Sequence, residues 1–322
     1  MKPTVISLFS GCGGSSLGYK WAGFKELLAI DFDKLAVETF KMNFPEVPCW
    51  QKDIKKVSGK EILDFCKIKK GELSLLDASP PCQGFSISGK HRVLDSRNDL
   101  FRDFIRLIKE LDPMVFVMEN VSGLIKGKMK GLFIEIMNEL KSLPYQVKCK
   151  LMNAMYYEVP QSRERLIWTG IRKDLNKNYL FEAQRHFEII TTKQALKGLP
   201  VDNSRTLNDL GLKIWEKLRC GSFAKYHPKK HWFNSQKLNP NKPSSTITAK
   251  MMKRGHAGLY HWKYPRALNI NELKRLATFP DDFQFIGRYE QQWAGIGNAV
   301  MPKFMEAIAL NIKEQIFKQI ET

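Results

Sequence analysis

A chain of 322 residues with 43% hydrophobic side chains should be globular and can bury the core of one large domain or two smaller ones. Its 52 lysines and arginines exceed its 33 aspartates and glutamates by 19, which favours a polyanionic partner, nucleic acid before membrane surface. No apolar run approaches the roughly 18 residues that span a bilayer, and nothing marks the N-terminus for export, so a cytoplasmic protein with no membrane partner is expected. Cysteines 12, 49, 66, 82, 149 and 220 form no Cys-x-x-Cys pair and no regular framework, which excludes a disulfide scaffold and fits reduced thiols. His227 and His231 are separated by Pro228 and two lysines with no glutamate, so no metal site is expected there.

The first half alternates short apolar runs with longer amphipathic ones, the pattern of βαβ units around a mostly parallel sheet. A strand over residues 5–9 leads into Phe9-Ser10-Gly11-Cys12-Gly13-Gly14, and a second over 27–31 ends on Asp31. A glycine-rich turn lets backbone approach a ligand and an acid ending the next strand can hold a ribose, so these residues point to a nucleotide-like cofactor, a nicotinamide included. A helix over 35–42 follows, then a strand over 73–77 that runs into Asp77-Ala78-Ser79-Pro80-Pro81-Cys82-Gln83-Gly84-Phe85-Ser86. Cys82 stands where a nucleophile would sit, although a lone cysteine is more often a small buried hydrophobe. A helix over 100–111 precedes a strand over 115–119 closing on Glu119-Asn120, and strands over 146–152 and 166–171 complete the sheet.

After Arg172 the alternation stops. Turn signals appear at Leu199-Pro200, Asn239-Pro240-Asn241 and Lys242-Pro243, and residues 172–265 carry 19 lysines and arginines against six acids, a net of +13. Aromatics such as Trp215, Tyr226, Trp232 and Trp262 interleave with this charge, as in a folded module facing nucleic acid rather than a disordered basic tail. A last amphipathic helix over 302–320 places Phe304, Ile308, Ile312 and Ile316 on one face and returns to the sheet domain.

Together with Gln161-Ser162-Arg163-Glu164-Arg165, the segments around Gly11, Cys82 and Glu119 resemble, in order and spacing, the C5-cytosine DNA methyltransferase family of bacterial restriction-modification systems. The resemblance runs over most of the chain. It implies an α/β class I methyltransferase fold, a Rossmann-like, mostly parallel sheet, with a smaller, irregular β-rich target-recognition domain. The expected boundaries are 1–175 plus 291–322 for the catalytic domain and 176–290 for recognition. The implied cofactor is S-adenosyl-L-methionine, leaving as S-adenosyl-L-homocysteine, with no metal. Phe9, Ser10, Gly11, Gly13 and Gly14 would wrap its methionine end, Asp31 beside Phe32 its ribose, and Asp53 and Ile54 its adenine. Pro81 and Leu100 would line the same pocket, and Asn298 and Ala299, in Gly295-Ile296-Gly297-Asn298-Ala299-Val300, would border the methionine. Asp31 stands where the family commonly has glutamate, and Lys52 where a glycine often precedes the Asp-Ile pair; Lys52 is expected to point outward.

C5 of cytosine is a poor nucleophile, so methyl transfer first needs electron density pushed there, which a thiolate adding at C6 provides. The resemblance assigns that thiolate to Cys82. Glu119 must be protonated, or share a proton, when it relieves the charge at N3. Arg165 would bind the base's O2 and Arg163 would position the cysteine or its loop. Taken singly, Glu119-Asn120 reads as a strand-end turn and the arginines as a salt-bridged surface; all four motifs in family order displace those readings. The cytosine must be swung out of the duplex. Gln83, Ser86, Ser88, Lys90, Arg92 and Arg97 would belong to a loop that closes over double-stranded DNA and grips phosphate. Specificity should lie before Arg266-Ala267-Leu268-Asn269-Ile270-Asn271-Glu272-Leu273, which resembles the family's ninth motif. There Thr246 and Thr248 resemble a recognition element, and Lys250, Lys253 and Arg254 are candidate contacts, the last two as guanine readers.

Competing readings are a family member acting on transfer RNA, a catalytically inactive relative that binds DNA, and a nicotinamide-dependent dehydrogenase, which leaves Cys82 and the basic region unexplained. The expected assembly is a monomer, with a restriction endonuclease acting independently.

Overall fold

The computed structural model describes residues 2–81, 100–125, 129–181, 188–202, 204–224, 235–249 and 258–319. Strands β1 (Thr4–Leu8), β2 (Lys25–Asp31), β3 (Cys49–Gln51), β4 (Leu75–Ala78), β5 (Val115–Val121), β6 (Tyr145–Asn153), the short β7 (Gln161–Ser162) and β8 (Glu164–Arg172) follow in chain order. Among the described residues, seven of them form one sheet in the order β3-β2-β1-β4-β5-β8-β6. The first five are parallel, and β8 runs antiparallel to both neighbours. β3 was not legible because three residues are too few to show alternation. Helices α1 (Gly14–Trp21), α2 (Lys34–Asn43), α3 (Gly59–Cys66), α4 (Leu100–Leu111) and α5 (Lys130–Lys141) connect the strands.

Side chains alternate across a strand, so the register sorts the sheet into two faces. Ile6, Leu28, Leu76, Phe116 and Met118 lie in one buried apolar cluster with Phe104, Leu107 and Ile108 of α4 and Leu140 of α5. Each large side chain buried this way contributes about 1.5–3 kcal/mol. The opposite face carries polar groups: Ser7 pairs in register with Asp77, Asp77 with Val117, and Glu119 lies two residues further along β5.

Helices α6 (Thr192–Ala195), α7 (Asp209–Lys217), α8 (Ile270–Leu276) and α9 (Tyr289–Asn298) and the two-residue strands β9 (Gln236–Lys237), β10 (Ser244–Ser245) and β11 (Leu259–Tyr260) make up the later region. There β10 pairs with β7, and β11 with β9. The last helix, α10, spans Pro302–Ile312 and continues as a π-helical stretch over Lys313–Phe317, where an unbroken helix was expected. Phe304, Ile308, Ile312 and Ile316 are all buried, as their spacing predicts, and Lys313 Nζ donates to the Ala22 carbonyl at 2.9 Å.

The chain divides into two compact units, Met1–Asn153 with Glu164–Ala183 and Met305–Thr322, and Ala154–Arg163 with Gln184–Phe304. The cuts differ from those expected at 175/176 and 290/291. Lys148 Nζ donates to the Tyr179 carbonyl and Asn311 Nδ2 to the Tyr179 hydroxyl, which ties the residues after 175 to the sheet. Residues 291–304 belong instead with the second unit, where a Cβ on Gly297 would stand 2.6 Å from the backbone nitrogen of Ala249.

Close packing inside the sheet makes one glycine indispensable. Gly170 of β8 pairs with Phe116 of β5, and an added Cβ would overlap the Phe116 ring. Gly170→Ala should therefore cost about 1–3 kcal/mol through overpacking, read as a lower urea midpoint with an unchanged slope.

Candidate active site

The carboxyl ends of the parallel strands hold several of the groups that sequence reasoning singled out, among them Gly11, Asp31 and Glu119. After β1 the chain turns through Phe9 and Gly11, at φ 56° and 55°, and Gly13 at φ 93°. A Cβ on Gly13 would overlap Phe44, so that glycine lets α1 pack on α2, whereas a Cβ on Gly11 would meet nothing within 4 Å. The turn is held from β2: the Gly11 N–H donates to Asp31 Oδ2 at 2.8 Å, and the Asp33 N–H to Oδ1 at 2.8 Å. Burial raises the Asp31 carboxyl above its ordinary range, while these N–H donors pull the other way. Phe32, next in the chain, has its ring 74% exposed.

Asp53 caps the short helical turn Ile54–Lys56, accepting from the Lys55 N–H at 3.1 Å, and Ile54 is buried. Lys52 is exposed, hydrogen-bonds Glu61 and sits 4.3 Å from the centroid of the Trp50 ring, so it does point outward. Leu100 opens α4 half-buried against the apolar cluster. A turn with open space at Gly11, an acid with lone pairs still available and an uncovered aromatic ring beside it fit an adenosine-bearing cofactor.

Glu119 is buried on β5, and its Oε1 lies 2.5 Å from Arg165 Nε. The two are diagonal neighbours, because Glu119 pairs with Ile167 and Val121 with Arg165 in the antiparallel register. Asn120 donates from Nδ2 to the Pro80 carbonyl at 3.2 Å, and its Oδ1 accepts the Val121 N–H at 2.8 Å. This amide clamps the Pro80-Pro81 stem that runs into Cys82, a role that strand-end pattern alone did not disclose. Cys82 and the expected DNA contacts Gln83, Ser86, Ser88, Lys90, Arg92, Arg97, Lys250, Lys253 and Arg254 lie outside the described residues. Four other cysteines are poor thiolate candidates: burial pushes Cys12, Cys49 and Cys149 up to about 12 and Cys66 to about 11.

In the second unit, Arg163 is buried and donates from Nη1 to the Ile247 carbonyl at 2.9 Å and from Nη2 to the Gly297 and Ala299 carbonyls at 2.9 and 3.1 Å. Its guanidinium thus fastens two backbone segments together, while the cysteine and loop that it is expected to position lie outside the described residues. Gln161 completes the clamp, its Oε1 accepting the Ile247 N–H at 3.1 Å. Thr246 Oγ1 donates to the Ser162 carbonyl at 2.8 Å, which makes its hydroxyl an anchor, whereas Thr248 is exposed and its carbonyl accepts from Trp293 Nε1 at 3.0 Å. Asn298 ends α9 exposed and Ala299 is buried. Sequence reasoning missed Gln161 and Asn120 as fasteners because a side-chain bond to a distant carbonyl leaves no periodic mark.

Residues 3–314 match the family model for C-5 cytosine-specific DNA methylase. The chain belongs to this family. It is 35% identical over 330 residues to the Type II methyltransferase M1.HphI of Haemophilus parahaemolyticus, covering 96% of this chain and 86% of that one. It is 33% identical over 340 residues to the Type II methyltransferase M.NgoFVII of Neisseria gonorrhoeae, covering 97% and 86%. The crystal structure of a protein assigned as a DNA modification methyltransferase and encoded within an E. coli prophage superposes with a TM-score of 0.82 at 26% identity, over 98% of this chain and all, 100%, of the other. The S. pombe Dnmt2 methyltransferase shares the fold, with a TM-score of 0.70 at 19% identity, over 98% and 99% of the two chains. Within this C5 methylase, no helix among the described residues is long and apolar enough to cross a membrane.

Arg163→Lys gives the methylase one ammonium in place of a planar fork that serves three carbonyls. Each carbonyl left without a donor should cost about 1–3 kcal/mol, seen as a lower urea midpoint with the secondary structure unchanged at zero denaturant.

Proposed function

We propose that this methylase transfers a methyl group from S-adenosyl-L-methionine to C5 of a flipped-out cytosine in a short, specific sequence of double-stranded DNA. The Glu119–Arg165 ion pair carries this assignment, because it stands on the same sheet edge as the Asn120-clamped stem of Cys82. The cofactor supplies an electrophilic methyl on a sulfonium and leaves as S-adenosyl-L-homocysteine. Phe9, Ser10, Gly11, Gly13 and Gly14 would shape the pocket for its methionine end, with Pro81, Leu100, Asn298 and Ala299 bordering it. Asp31 would accept the ribose hydroxyls, Phe32 would cover the adenine, and Asp53 and Ile54 would meet its edge and face. The Cys82 thiolate adds at C6 of the cytosine, and the C5–C6 double-bond electrons move to C5, which attacks the methyl carbon. Glu119 delivers a proton or a strong hydrogen bond to N3 as negative charge develops on the ring, while Arg165 holds O2. Loss of the C5 proton to a base then expels the cysteine and restores the ring.

The basic second unit would read the target, Thr248, Lys250, Lys253 and Arg254 facing the DNA while Thr246 anchors the element they stand on. Gln83, Ser86, Ser88, Lys90, Arg92 and Arg97 would grip the strand around the extruded base. The product would protect host DNA from a separate restriction endonuclease, with the enzyme acting as a monomer in the cytoplasm.

Transfer of tritiated methyl to unmethylated duplex DNA and to bulk transfer RNA, followed by conversion sequencing, tests the assignment. We expect 5-methylcytosine at one short DNA motif, no product with Cys82→Ala, and a rate about 10²–10⁴-fold lower with Glu119→Gln. Label in RNA alone would move the protein to the RNA-modifying branch, and intact DNA binding without transfer would mark an inactive relative.

A further inference from the structure

Helix α1 begins at the cofactor turn and packs on the sheet through polar groups where apolar ones would be usual. Tyr19 is fully buried, and its hydroxyl donates to Asp77 Oδ1 at 3.0 Å. Ser15, four residues earlier on the same helix face, also hydrogen-bonds the Asp77 carboxyl, and Ser16 Oγ donates to Glu26 Oε1 at 2.9 Å. Asp77 is the penultimate residue of β4, which runs through Ala78 into Ser79-Pro80-Pro81 and Cys82. One buried hydrogen bond therefore joins the helix that carries the cofactor turn to the strand that carries the nucleophile's stem, and the proposed chemistry uses neither partner.

Resting on the methyl-transfer function proposed above, we propose that Asp77 is a positioning residue of this enzyme: with Tyr19 it fixes the cofactor turn relative to the Cys82 stem. The groups facing it are Tyr19 and Ser15 from α1, Glu26 from β2 and Glu119 from β5. Burial is the main cause that pushes its carboxyl from the ordinary 3.8 up to about 8; Glu26 and Glu119 push the same way, and the Tyr19 and Ser15 donors oppose them. Burial likewise takes Glu26 up to about 7, against the hydroxyls of Ser7 and Ser16. Both acids bind protons more tightly in the folded chain than in the unfolded one. Their contribution to stability is complete below the unfolded pKa values of about 4 and is lost as the pH climbs through about 7 and 8. Ionising Asp77 would place a charge in the buried layer beneath α1, a cost set by burial that the Tyr19 and Ser15 donors offset only in part.

Full-length wild type, Tyr19→Phe and Asp77→Asn provide the test, each checked for folding by its urea midpoint. S-adenosyl-L-homocysteine affinity is measured by calorimetry, and single-turnover methylation of a duplex is followed from pH 6.5 to 9.5. Tyr19→Phe should weaken S-adenosyl-L-homocysteine about five-fold and slow transfer about ten-fold while remaining folded. The wild-type rate should fall on the alkaline side with a midpoint near 8, and Asp77→Asn, which still offers an acceptor to Tyr19 but cannot ionise, should lose that fall. A folded Tyr19→Phe protein with wild-type affinity and rate would show the pair to be structural only and overturn the inference. So would an alkaline profile that is the same in wild type and Asp77→Asn. Absence of methyl transfer by wild type would instead remove the proposed function, and the affinity measurement on Tyr19→Phe would still decide whether the pair positions the cofactor turn.

Discussion

Parallel strands in register must end together, and that constraint governs this molecule. β1, β2, β4 and β5 all run the same way, so the turn after Leu8, the acid Asp31, the stem after Ala78 and the Glu119-Asn120 pair arrive on one edge without any loop having to reach for another. The reversed strand β8 adds what a parallel strand could not, because its antiparallel register sets Arg165 opposite Val121 and within reach of Glu119. Connections on the apolar face are long helices, and their buried side chains hold the strands rigidly enough for the edge to serve as a template.

The two faces of the sheet do different work. On the side of α4 and α5, burial of aliphatic and aromatic groups is uncomplicated and supplies the driving force for folding. On the side of α1 the hydroxyl of Ser7 and the carboxyl of Asp77 lie at the same depth among valines and leucines, and a buried polar group there must find a hydrogen-bond partner. Asp31 solves the problem with backbone N–H groups, whereas Asp77 solves it with a phenol. The difference follows from position: Asp31 ends a strand where free N–H groups of a turn are at hand, and Asp77 lies within a strand whose own N–H groups are already committed to the ladder.

Much of the first unit was legible in the sequence because period and position coincide there. The helix over 100–111 is found with those bounds, and the strands ending at Asp31 and carrying Glu119 are in place. The glycine turn was legible through Gly11 and Gly13, whose left-handed backbone few other residues tolerate. The division into units was less so, since Arg163, Gly297 and Ala299 join through guanidinium-to-carbonyl bonds between residues more than 130 apart, and such contacts have no signature in local pattern. The same holds for Thr246, where a hydroxyl that resembled a reading group turns inward to Ser162, and for the Tyr19 and Asp77 pair, 58 residues apart.

The close approach of Gly297 to Thr248 and Ala249 has a mutational corollary. Backbone meets backbone there, with Trp293 and Arg163 securing the carbonyls on either side, so the register of the element through Ala249 is fixed by the second unit's interior and not by whatever follows it. A little further on, the Gln236 N–H donates to the Gly258 carbonyl and resets the chain at 3.0 Å. Any side chain at Gly297 would have to push the element through Ala249 out of its place, so this glycine of α9 cannot be exchanged without displacing backbone.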